Sequence, residues 1–310
     1  MEFLFLGLMR VLITGATGLI GTAIIEQLIS IGWNVNFLTR SRDSIDIAKF
    51  GQGFLWDPDK GTIDMACFKD VDVIINLAGA TIAKRWTKSY KQKIINSRTQ
   101  SLELLFKSLK QLDCDVQQVI SASAIGLYPS SLTKYYEEST DEIASNFLGK
   151  TVEVWESKAD LFNQLNIKVS KVRIGLVLDS EEGALPKMVQ PIKLGLGAAF
   201  GKGDQWQSWI HIEDLAGIMV HILEEELEGV FNAVAPNPVT NKELTETIAK
   251  VLNKPLVLPN IPKAIIKLGL GEMHQLLFDS QRVSSAKIEE TGYSFKYPNV
   301  QPALENLLNK

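Results

Sequence analysis

Two hydrophobic periods alternate along the chain up to about residue 180. Short uninterrupted apolar runs, typical of strands buried on both faces, are separated by longer segments whose apolar residues recur at helical spacing. The alternation predicts an α/β fold of the doubly wound kind, with helices on both faces of a parallel sheet. The predicted strands are 10–14, 34–39, 71–77, 116–121 and 169–178, and the predicted helices are 22–31, 87–112 and 147–165.

The pattern changes after residue 180. A glycine-rich stretch there predicts a loop that is mobile or covers a ligand, and its glycines are Gly195, Gly197, Gly201 and Gly203. Thr240 and Glu243 have the spacing of a helix capping box. The further predicted elements are strands 206–211 and 229–235 and helices 213–224, 240–252 and 263–278. We therefore predict a Rossmann-type domain over 9–180, completed by about 206–235, and a smaller discontinuous C-terminal substrate lobe over 181–205 and 236–310.

Composition narrows the class of protein. The 310 residues are 45% hydrophobic, with a mean hydropathy of +0.05, which is typical of a globular chain of one large domain or two lobes. A net charge of −4 argues against a nucleic-acid partner, and no apolar run reaches the ~20 residues that span a bilayer. Cys67 and Cys114 are too few for a disulfide framework, so we expect buried thiols and a cytoplasmic location. We also expect a monomer or homodimer, with residues 1–8 forming an extension before the domain.

A glycine-rich turn follows the first predicted strand. Gly15, Gly18 and Gly21 form the pattern G-x-x-G-x-x-G directly before the first helix. Glycines let a pyrophosphate approach the backbone and reach the free N–H groups at the start of a helix. The alternative is a glycine-rich turn without a ligand, but the strand before it and the helix after it favour a dinucleotide site. The expected cofactor contacts are Gly15, Thr17, Gly18, Leu19, Ile20 and Gly21.

The end of the second predicted strand indicates which dinucleotide binds. Sites that prefer NAD place an acidic residue here, whereas arginine accommodates the 2′-phosphate of NADP. This chain has Arg40, Ser41 and Arg42, with no carboxylate before Asp43. The pattern favours NADP(H) over NAD, with these three residues as contacts. The alternative is a pair of solvated arginines on a loop.

Further motifs resemble the extended short-chain dehydrogenase/reductase superfamily. These motifs are the glycine-rich turn and the segments 76–80, 121–128 and 209–214. Other segments resemble one atypical branch of the superfamily, a family of sugar-nucleotide epimerase-like proteins with a C-terminal domain of unknown function. They are 85–87, 97–98, 155–156, 193–197 and 281–283. The resemblance covers nearly the whole chain from Met9. It implies cofactor contacts by Asn76, Ala78 and Gly79, although these residues also suit the end of a buried strand. It further implies that Ser123 hydrogen-bonds the reacting carbonyl or alcohol, the alternative being a turn-forming serine.

The acid/base pair of that superfamily is missing. Its members carry a tyrosine four residues before a lysine, so that the ammonium lowers the pKa of the phenol. No tyrosine of this chain has a lysine at that spacing, and the lysine expected to orient the cofactor ribose, Lys150, follows Asn146 instead. An amide cannot transfer a proton near neutral pH. Tyr128 is the best substitute as acid/base, with a packed structural tyrosine as an equally weighted alternative.

The remaining histidines and the second lobe complete the prediction. His211 suits a structural hydrogen bond to Asp214 or to the backbone better than catalysis, and no histidine has partners at metal-ligand spacing, so we predict no metal. By resemblance alone, the candidate substrate contacts are Arg98, Arg173, Lys187, Trp209, Gln281 and Arg282. Arginine suits a carboxylate or a phosphate, which favours an anionic or nucleotide-like small molecule. The alternative for each residue is a surface ion pair.

Two functions therefore remain open. The leading hypothesis is an NADP(H)-dependent oxidoreductase or epimerase that acts on a small polar molecule such as a sugar nucleotide. In that hypothesis Ser123 polarises the substrate oxygen, Tyr128 is the acid/base and Lys150 orients the ribose. The alternative is an NADP(H)-binding sensor or partner-binding module that has kept the cofactor site and lost catalysis.

Overall fold

The fold is described from a computed structural model, for residues 9–45, 51–112 and 115–309. The strands are β1 (Arg10–Thr14), β2 (Asn34–Thr39), β3 (Gln52–Asp57), β4 (Thr62–Ile63), β5 (Val73–Asn76), β6 (Gln118–Ala124), β7 (Tyr135–Tyr136), β8 (Lys168–Ile174), β9 (Leu176–Leu178), β10 (Trp206–Gln207), β11 (Trp209–His211), β12 (Gly229–Ala233), β13 (Val239–Thr240) and β14 (Arg282–Val283). The helices are α1 (Leu19–Ser30), α2 (Lys88–Leu109), α3 (Phe147–Ala159), α4 (Leu185–Lys193), α5 (Ile212–Glu224), α6 (Asn241–Val251), α7 (Lys263–Leu270), α8 (Gln275–Phe278), α9 (Ala286–Glu290) and α10 (Val300–Leu308). Short 3₁₀ helices lie at Arg42–Ser44, Met65–Phe68, Ile125–Leu127, Asp160–Leu165 and Gly271–His274.

One eight-stranded sheet forms the centre of the fold, in the order β12-β8-β6-β5-β1-β2-β3-β4. Every neighbouring pair from β12 to β3 is parallel, and only β4 runs antiparallel to its neighbour. The chain winds outward from β1 in one direction through β2 and β3, and then in the other through β5, β6, β8 and β12. Ligands of such sheets bind where the winding reverses, at the carboxyl ends of the strands, which here is the crevice between β1 and β5.

Helices cover both faces of this sheet. Helix α1 packs with α5, and α2 packs with α3. The strands between these layers are deeply buried: Leu12, Ile13, Ile74 and Ile75 have no exposed surface. Buried apolar area of this kind is the main stabilising contribution to such a core. The predicted doubly wound α/β fold is confirmed.

The structure corrects several predicted boundaries. The pattern missed β3, whose sequence carries a polar residue and a glycine at its start. The predicted strand 169–178 breaks at Gly175, where a Cβ atom would lie 2.3 Å from the carbonyl oxygen of Ser208. Beyond the break, β9 leaves the large sheet and pairs with β11. The predicted helix 263–278 breaks at Gly271, which has a φ of +57°, whereas the capping box of Thr240 is present.

A second apolar core lies between α4, α6 and α10. It includes the fully buried Trp209 and Leu304. A smaller cluster joins the two parts of the chain, since Met273 packs with Trp86 and with Phe147 at the start of α3. The segment preceding α8 therefore contacts the amino-terminal end of a helix that lies beside the crevice.

The predicted buried thiols and the expectations about membrane helices and metal sites can be compared with the described residues. Cys67 is buried, and burial raises the pKa of its thiol to about 12, while Cys114 and residues 1–8 lie outside the described residues. Among the residues described, no helix is long and apolar enough to cross a membrane. Within the same ranges, no cluster of three or more His, Cys, Asp or Glu side chains is arranged to hold a metal ion.

Candidate functional site

The glycine-rich turn connects β1 to α1 at the crevice. Gly15 has a φ of +72°, and a Cβ atom there would lie 3.1 Å from the backbone of Leu77. At Gly21 a Cβ atom would lie 2.3 Å from the carbonyl oxygen of Gly15, so the turn can close only with glycine at this position. Gly18 is the N-cap of α1, and no side chain caps the helix there. The first amides of α1 have no partner within the helix, which makes this end a site for an anion.

A buried threonine fixes the neighbouring loop after β5. The hydroxyl oxygen of Thr14 accepts hydrogen bonds from the amides of Leu77 and Ala78, both at 3.1 Å. Because these use both lone pairs, its own proton goes to Oδ1 of Asn76, at 2.8 Å. The amide orientation of Asn76 is thereby set, and its buried Nδ2 has no hydrogen-bond partner within the described part of the chain. The predicted contacts Asn76, Ala78 and Gly79 therefore lie on a loop held directly beside the glycine turn.

The predicted NADP residues lie at the carboxyl end of β2. Arg40, Ser41 and Arg42 are all exposed, and the backbone N–H of Ser41 donates to Oγ1 of Thr39 at 3.1 Å, which turns the chain out of the sheet. The Nη1 atom of Arg40 lies 3.6 Å from Oδ2 of Asp59. An exposed ion pair of this kind contributes little to stability. The guanidinium therefore remains available for a ligand at the β2 end of the crevice.

On the other side of β5, Ser123 belongs to a buried network. Its hydroxyl donates to Oε1 of Glu156 at 2.5 Å, and the same carboxylate accepts from Nε and Nη2 of Arg173 at 2.8 and 3.0 Å. Burial acts to raise the pKa of Glu156, but hydrogen bonds and charge from Arg173 bring it below its ordinary value. The carboxylate is therefore ionised, and it ties α3 to β6 and β8.

The same network contains Tyr128, which is completely buried. Its hydroxyl donates to Oδ1 of Asn232 at 2.8 Å and accepts from Nη1 of Arg173 at 2.9 Å. Its ring stacks on Tyr136, with 5.1 Å between the centroids. Burial raises the pKa of Tyr128, partly offset by the charge of Arg173. A hydroxyl enclosed in this way fits the alternative of a packed structural tyrosine and not an acid/base open to substrate.

Lys150 is not part of this network. It is exposed on the face of α3 that also carries Glu153 and Val154, whereas Trp155 and Glu156 are buried. Ser123 and Tyr128 are joined through Glu156 and Arg173. The catalytic roles expected for Ser123, Tyr128 and Lys150 stay predictions.

Asn146, which takes the place of the superfamily's tyrosine, caps α3 instead. Its Oδ1 accepts from the amide of Gly149 at 2.9 Å, and its Nδ2 donates to Oδ2 of Asp279 at 3.1 Å. Burial raises the pKa of Asp279, partly offset by Lys263. Asp279 follows α8, so this hydrogen bond adds a polar contact between the second lobe and the start of α3.

The six predicted substrate contacts lie in different environments. Arg173 is in the buried network, and Trp209 is fully buried, with its Nε1–H donating to the carbonyl of Asn237 at 3.0 Å. Packing encloses both side chains, that of Arg173 within the network beside β8, to which it belongs, and that of Trp209 within the second apolar core. Lys187 is exposed on α4. These three positions therefore do not form one site.

The other three candidate substrate contacts are Gln281, Arg282 and Arg98. Gln281 donates to the carbonyl of Tyr128 at 2.7 Å. Arg282 is exposed and lies over the rings of Tyr135 and Trp206, at 5.2 and 4.5 Å from their centroids. Arg98 projects from α2 toward the loop after β5, where its Nη1 donates to the carbonyl of Ala80 at 3.1 Å.

The predicted ligand-covering loop borders a cavity in the second lobe. Its volume is about 320 Å³, and it lies between the glycine-rich stretch and the segment after α7. The lining includes Gly201, Lys202, Lys263, Phe278 and Ser280. The cavity has room for part of a small molecule, and a role for the loop in covering a ligand stays a prediction.

His211 has the structural role that its sequence position favours. Its Nδ1 accepts from the amide of Glu213 at 3.1 Å, so Nε2 carries the proton and faces Oδ1 of Asn306 at 3.2 Å. Burial lowers the pKa of His211. Of the two expected partners, Asp214 and the backbone, it is the backbone that His211 contacts, since the carboxylate of Asp214 instead accepts from the amides of Lys296 and Tyr297.

Comparison with known proteins places this arrangement in a family. The model of the NAD dependent epimerase/dehydratase family matches residues 11–148, and a domain of unknown function, DUF1731, matches residues 261–307. An epimerase family protein of Staphylococcus saprophyticus is 36% identical over 304 residues, covering 96% of this chain and 99% of the relative. Another, from Staphylococcus aureus, is 37% identical over 300 residues, with 96% and 99% covered. The chain belongs to the NAD-dependent epimerase/dehydratase family and carries the additional C-terminal DUF1731 domain.

Solved structures agree with this assignment. The human epimerase family protein SDR39U1, solved with NADPH, is 30% identical with a TM-score of 0.85, covering 97% of this chain and 99% of that one. A nucleoside-diphosphate sugar epimerase from Corynebacterium glutamicum is 27% identical with a TM-score of 0.78, covering 97% of this chain and 58% of that one. UDP-glucuronic acid 4-epimerase from Bacillus cereus, at 16% identity and a TM-score of 0.78, shares the fold over 97% of this chain and 98% of its own.

Proposed function

We propose that this protein is an NADP(H)-dependent oxidoreductase or epimerase that acts on a small polar substrate, with a sugar nucleotide as the leading candidate. The observation that carries the proposal is the uncapped, glycine-lined start of α1, with Arg40 and Arg42 exposed at the neighbouring strand end. The NADPH complex of the human relative supports the cofactor, and the Corynebacterium relative supports the class of substrate.

The residues of the crevice fit a dinucleotide phosphate. The amides at the start of α1 suit the pyrophosphate, and Arg40 and Arg42 suit the 2′-phosphate, which is the group that distinguishes NADP from NAD. When bound, the cofactor supplies or accepts a hydride at its nicotinamide ring. The protein's part is then to hold the ribose and phosphates and to orient the substrate oxygen.

The hydrogen-bond polarity of Ser123 restricts its part. Its only proton is committed to Glu156, which is ionised and can only accept. Ser123 therefore has lone pairs to offer and accepts a hydrogen bond from a substrate hydroxyl, so that of the two partners expected from the sequence, a carbonyl or an alcohol, this proposal takes the alcohol. In this proposal Ser123 orients the alcohol form of the substrate, and Tyr128 no longer serves as the acid/base.

Binding of the two dinucleotides to the Arg40→Ala variant tests the cofactor assignment. We expect NADPH affinity, measured by calorimetry, to fall by about tenfold or more, with NADH affinity changed less than about twofold. Asp59→Ala is the matched control, because it removes the partner of Arg40 and leaves the guanidinium in place. An equal loss for both dinucleotides would remove the NADP preference, and failure of the wild-type chain to bind either would overturn the proposal.

A second candidate function is an NADP(H)-binding sensor without catalysis. The closed network around Ser123 and Tyr128 favours it. Incubation with UDP-glucose, UDP-glucuronic acid and UDP-N-acetylglucosamine separates the two functions if absorbance at 340 nm and the NMR spectrum of the sugar are both followed. The NMR arm detects epimerisation, which consumes no net cofactor. Turnover in either arm supports the enzyme, and silence in both, in a chain that binds NADPH, favours the sensor.

A further inference from the structure

Arg98 carries a largely buried positive charge that has no carboxylate partner in the described part of the chain. Its Nη1 donates to the backbone carbonyls of Ala80 and Ile94, at 3.1 and 3.0 Å. Burial lowers its pKa to about 10. Arg173 shows the usual solution, because Glu156 neutralises it with two hydrogen bonds and its pKa is raised. Buried charges are normally paired, so Arg98 is the exception that calls for an anion.

A buried indole N–H lies beside it. The guanidinium of Arg98 lies over the ring of Trp155, with 5.0 Å between Cζ and the ring centroid. Trp155 is only 7% exposed, and among the described residues its buried Nε1–H has no hydrogen-bond partner. A buried donor without an acceptor is destabilising. One acceptor group placed next to this pair would satisfy both a charged and a neutral donor.

The pair lies against the loop that follows β5. Arg98 binds the carbonyl of Ala80, and Ser97 accepts from the amide of the same residue at 2.8 Å, so α2 holds both polar groups of this residue. A Cβ atom on Gly79 would lie 3.1 Å from Cζ of Arg98, which means that glycine is what lets the loop lie this close to the guanidinium. The same loop begins beside the glycine turn.

The position within the crevice assigns the anion to the substrate. The predicted 2′-phosphate residue, Arg40, follows β2 on one side of β1, whereas Arg98 and Trp155 lie on the helices that flank β5 and β6 on the other side. In doubly wound sheets each side of the reversal holds one mononucleotide half. Arg98 therefore lies in the half away from the 2′-phosphate, where the substrate reacts.

We propose that Arg98 and Trp155 form a binding site for an oxyanion of the substrate, a carboxylate or a phosphate. Nη1 stays on the carbonyl of Ala80, the other guanidinium N–H groups donate to the anion, and the indole N–H adds a neutral donor. The proposal deepens the proposed function and rests on it, since the anion is placed relative to a bound dinucleotide.

Anion binding to the full chain saturated with NADPH tests the site. The probes are inorganic phosphate, malonate and UDP, titrated by calorimetry. We expect at least one to bind the wild-type chain, Arg98→Met to weaken it by about tenfold or more, and Trp155→Phe, which keeps the ring and loses the N–H, to weaken it by about threefold. Arg10→Met is the charge-matched control, because Arg10 lies at the other end of β1, bonded to Asn36 at 3.1 Å.

The outcomes separate this site from the cofactor site. The proposal is overturned if Arg98→Met binds the probes as tightly as the wild-type chain does, or if no probe binds the wild-type chain. Neither result affects the proposed NADPH site. If Arg98→Met instead weakens NADPH and spares the probes, the guanidinium serves the cofactor and the substrate assignment is overturned. If the wild-type chain does not bind NADPH, the proposed function is overturned. Titration of the probes without cofactor then tests the anion site at Arg98 independently. Equal loss in Arg10→Met would show a general charge effect and would also overturn the site.

Discussion

Two sets of polar groups beside the crevice differ in how they are hydrogen-bonded. Among the described residues, the start of α1 is uncapped, and the buried Nδ2 of Asn76 and Nε1 of Trp155 have no hydrogen-bond partner. By contrast, Ser123, Glu156 and Tyr128 hydrogen-bond within one closed network. Donors without partners mark the set that awaits a ligand, and donors that satisfy one another mark the set that holds the fold together.

This difference changes the meaning of residues that look alike in the sequence. Arg98 and Arg173 are both arginines at the crevice, yet one lacks a carboxylate and the other has two hydrogen bonds to Glu156. A buried ion pair contributes little by itself, but loss of one partner leaves an uncompensated charge. Substitutions in the two sets should therefore affect different measurements, binding in the first and stability in the second.

The largest expected effect is that of Arg173→Met on stability. The change leaves Glu156 buried without its cation, which typically costs about 3–5 kcal/mol. Urea unfolding followed by circular dichroism measures the loss. Arg282→Met, at an exposed stacked arginine, is the control, and we expect it to cost less than about 1 kcal/mol. A similarly small loss for both variants would mean that the network does not hold α3 to the sheet.

A smaller effect is expected from Tyr128→Phe. The change leaves Oδ1 of Asn232 and one N–H of Arg173 without a partner, which costs about 1–3 kcal/mol. NADPH affinity should stay within about twofold of the wild-type value, because the residues proposed to bind the cofactor are unchanged. Tyr135→Phe, at an exposed ring, serves as control. Unchanged stability combined with loss of hydride transfer would instead make Tyr128 the acid/base.

The smallest effect is the pH dependence that Glu156 adds to stability. Its pKa in the folded chain lies below the ordinary 4.5, so its contribution is present above that value and is lost as the pH falls through the folded pKa. The free energy of unfolding should thus fall more steeply below pH 4.5 in the wild-type chain than in Glu156→Gln. Parallel pH profiles would show that the carboxylate gains nothing from Arg173.

The sequence predicts one half of this comparison much better than the other. The glycine turn is local, so its spacing, the strand before it and the helix after it are all readable, and the fold class follows from the two hydrophobic periods. The network joins residues from four separate elements, among them Ser123 on β6 and Asn232 on β12. Residue spacing does not show such contacts or the direction of each hydrogen bond. For the same reason, the spacing between Ser123 and Lys150 does not show the face of α3 on which Lys150 lies.

A crystal structure of the NADPH complex tests most directly the contrast between the donors without partners and the closed network. The account predicts that the pyrophosphate lies on the amides at the start of α1 and the 2′-phosphate on Arg40 or Arg42, while the hydroxyl of Tyr128 remains bonded to Arg173 and Asn232. A complex in which the 2′-phosphate lies away from both arginines, or in which Tyr128 has turned to within hydrogen-bond distance of the nicotinamide ribose, would contradict it.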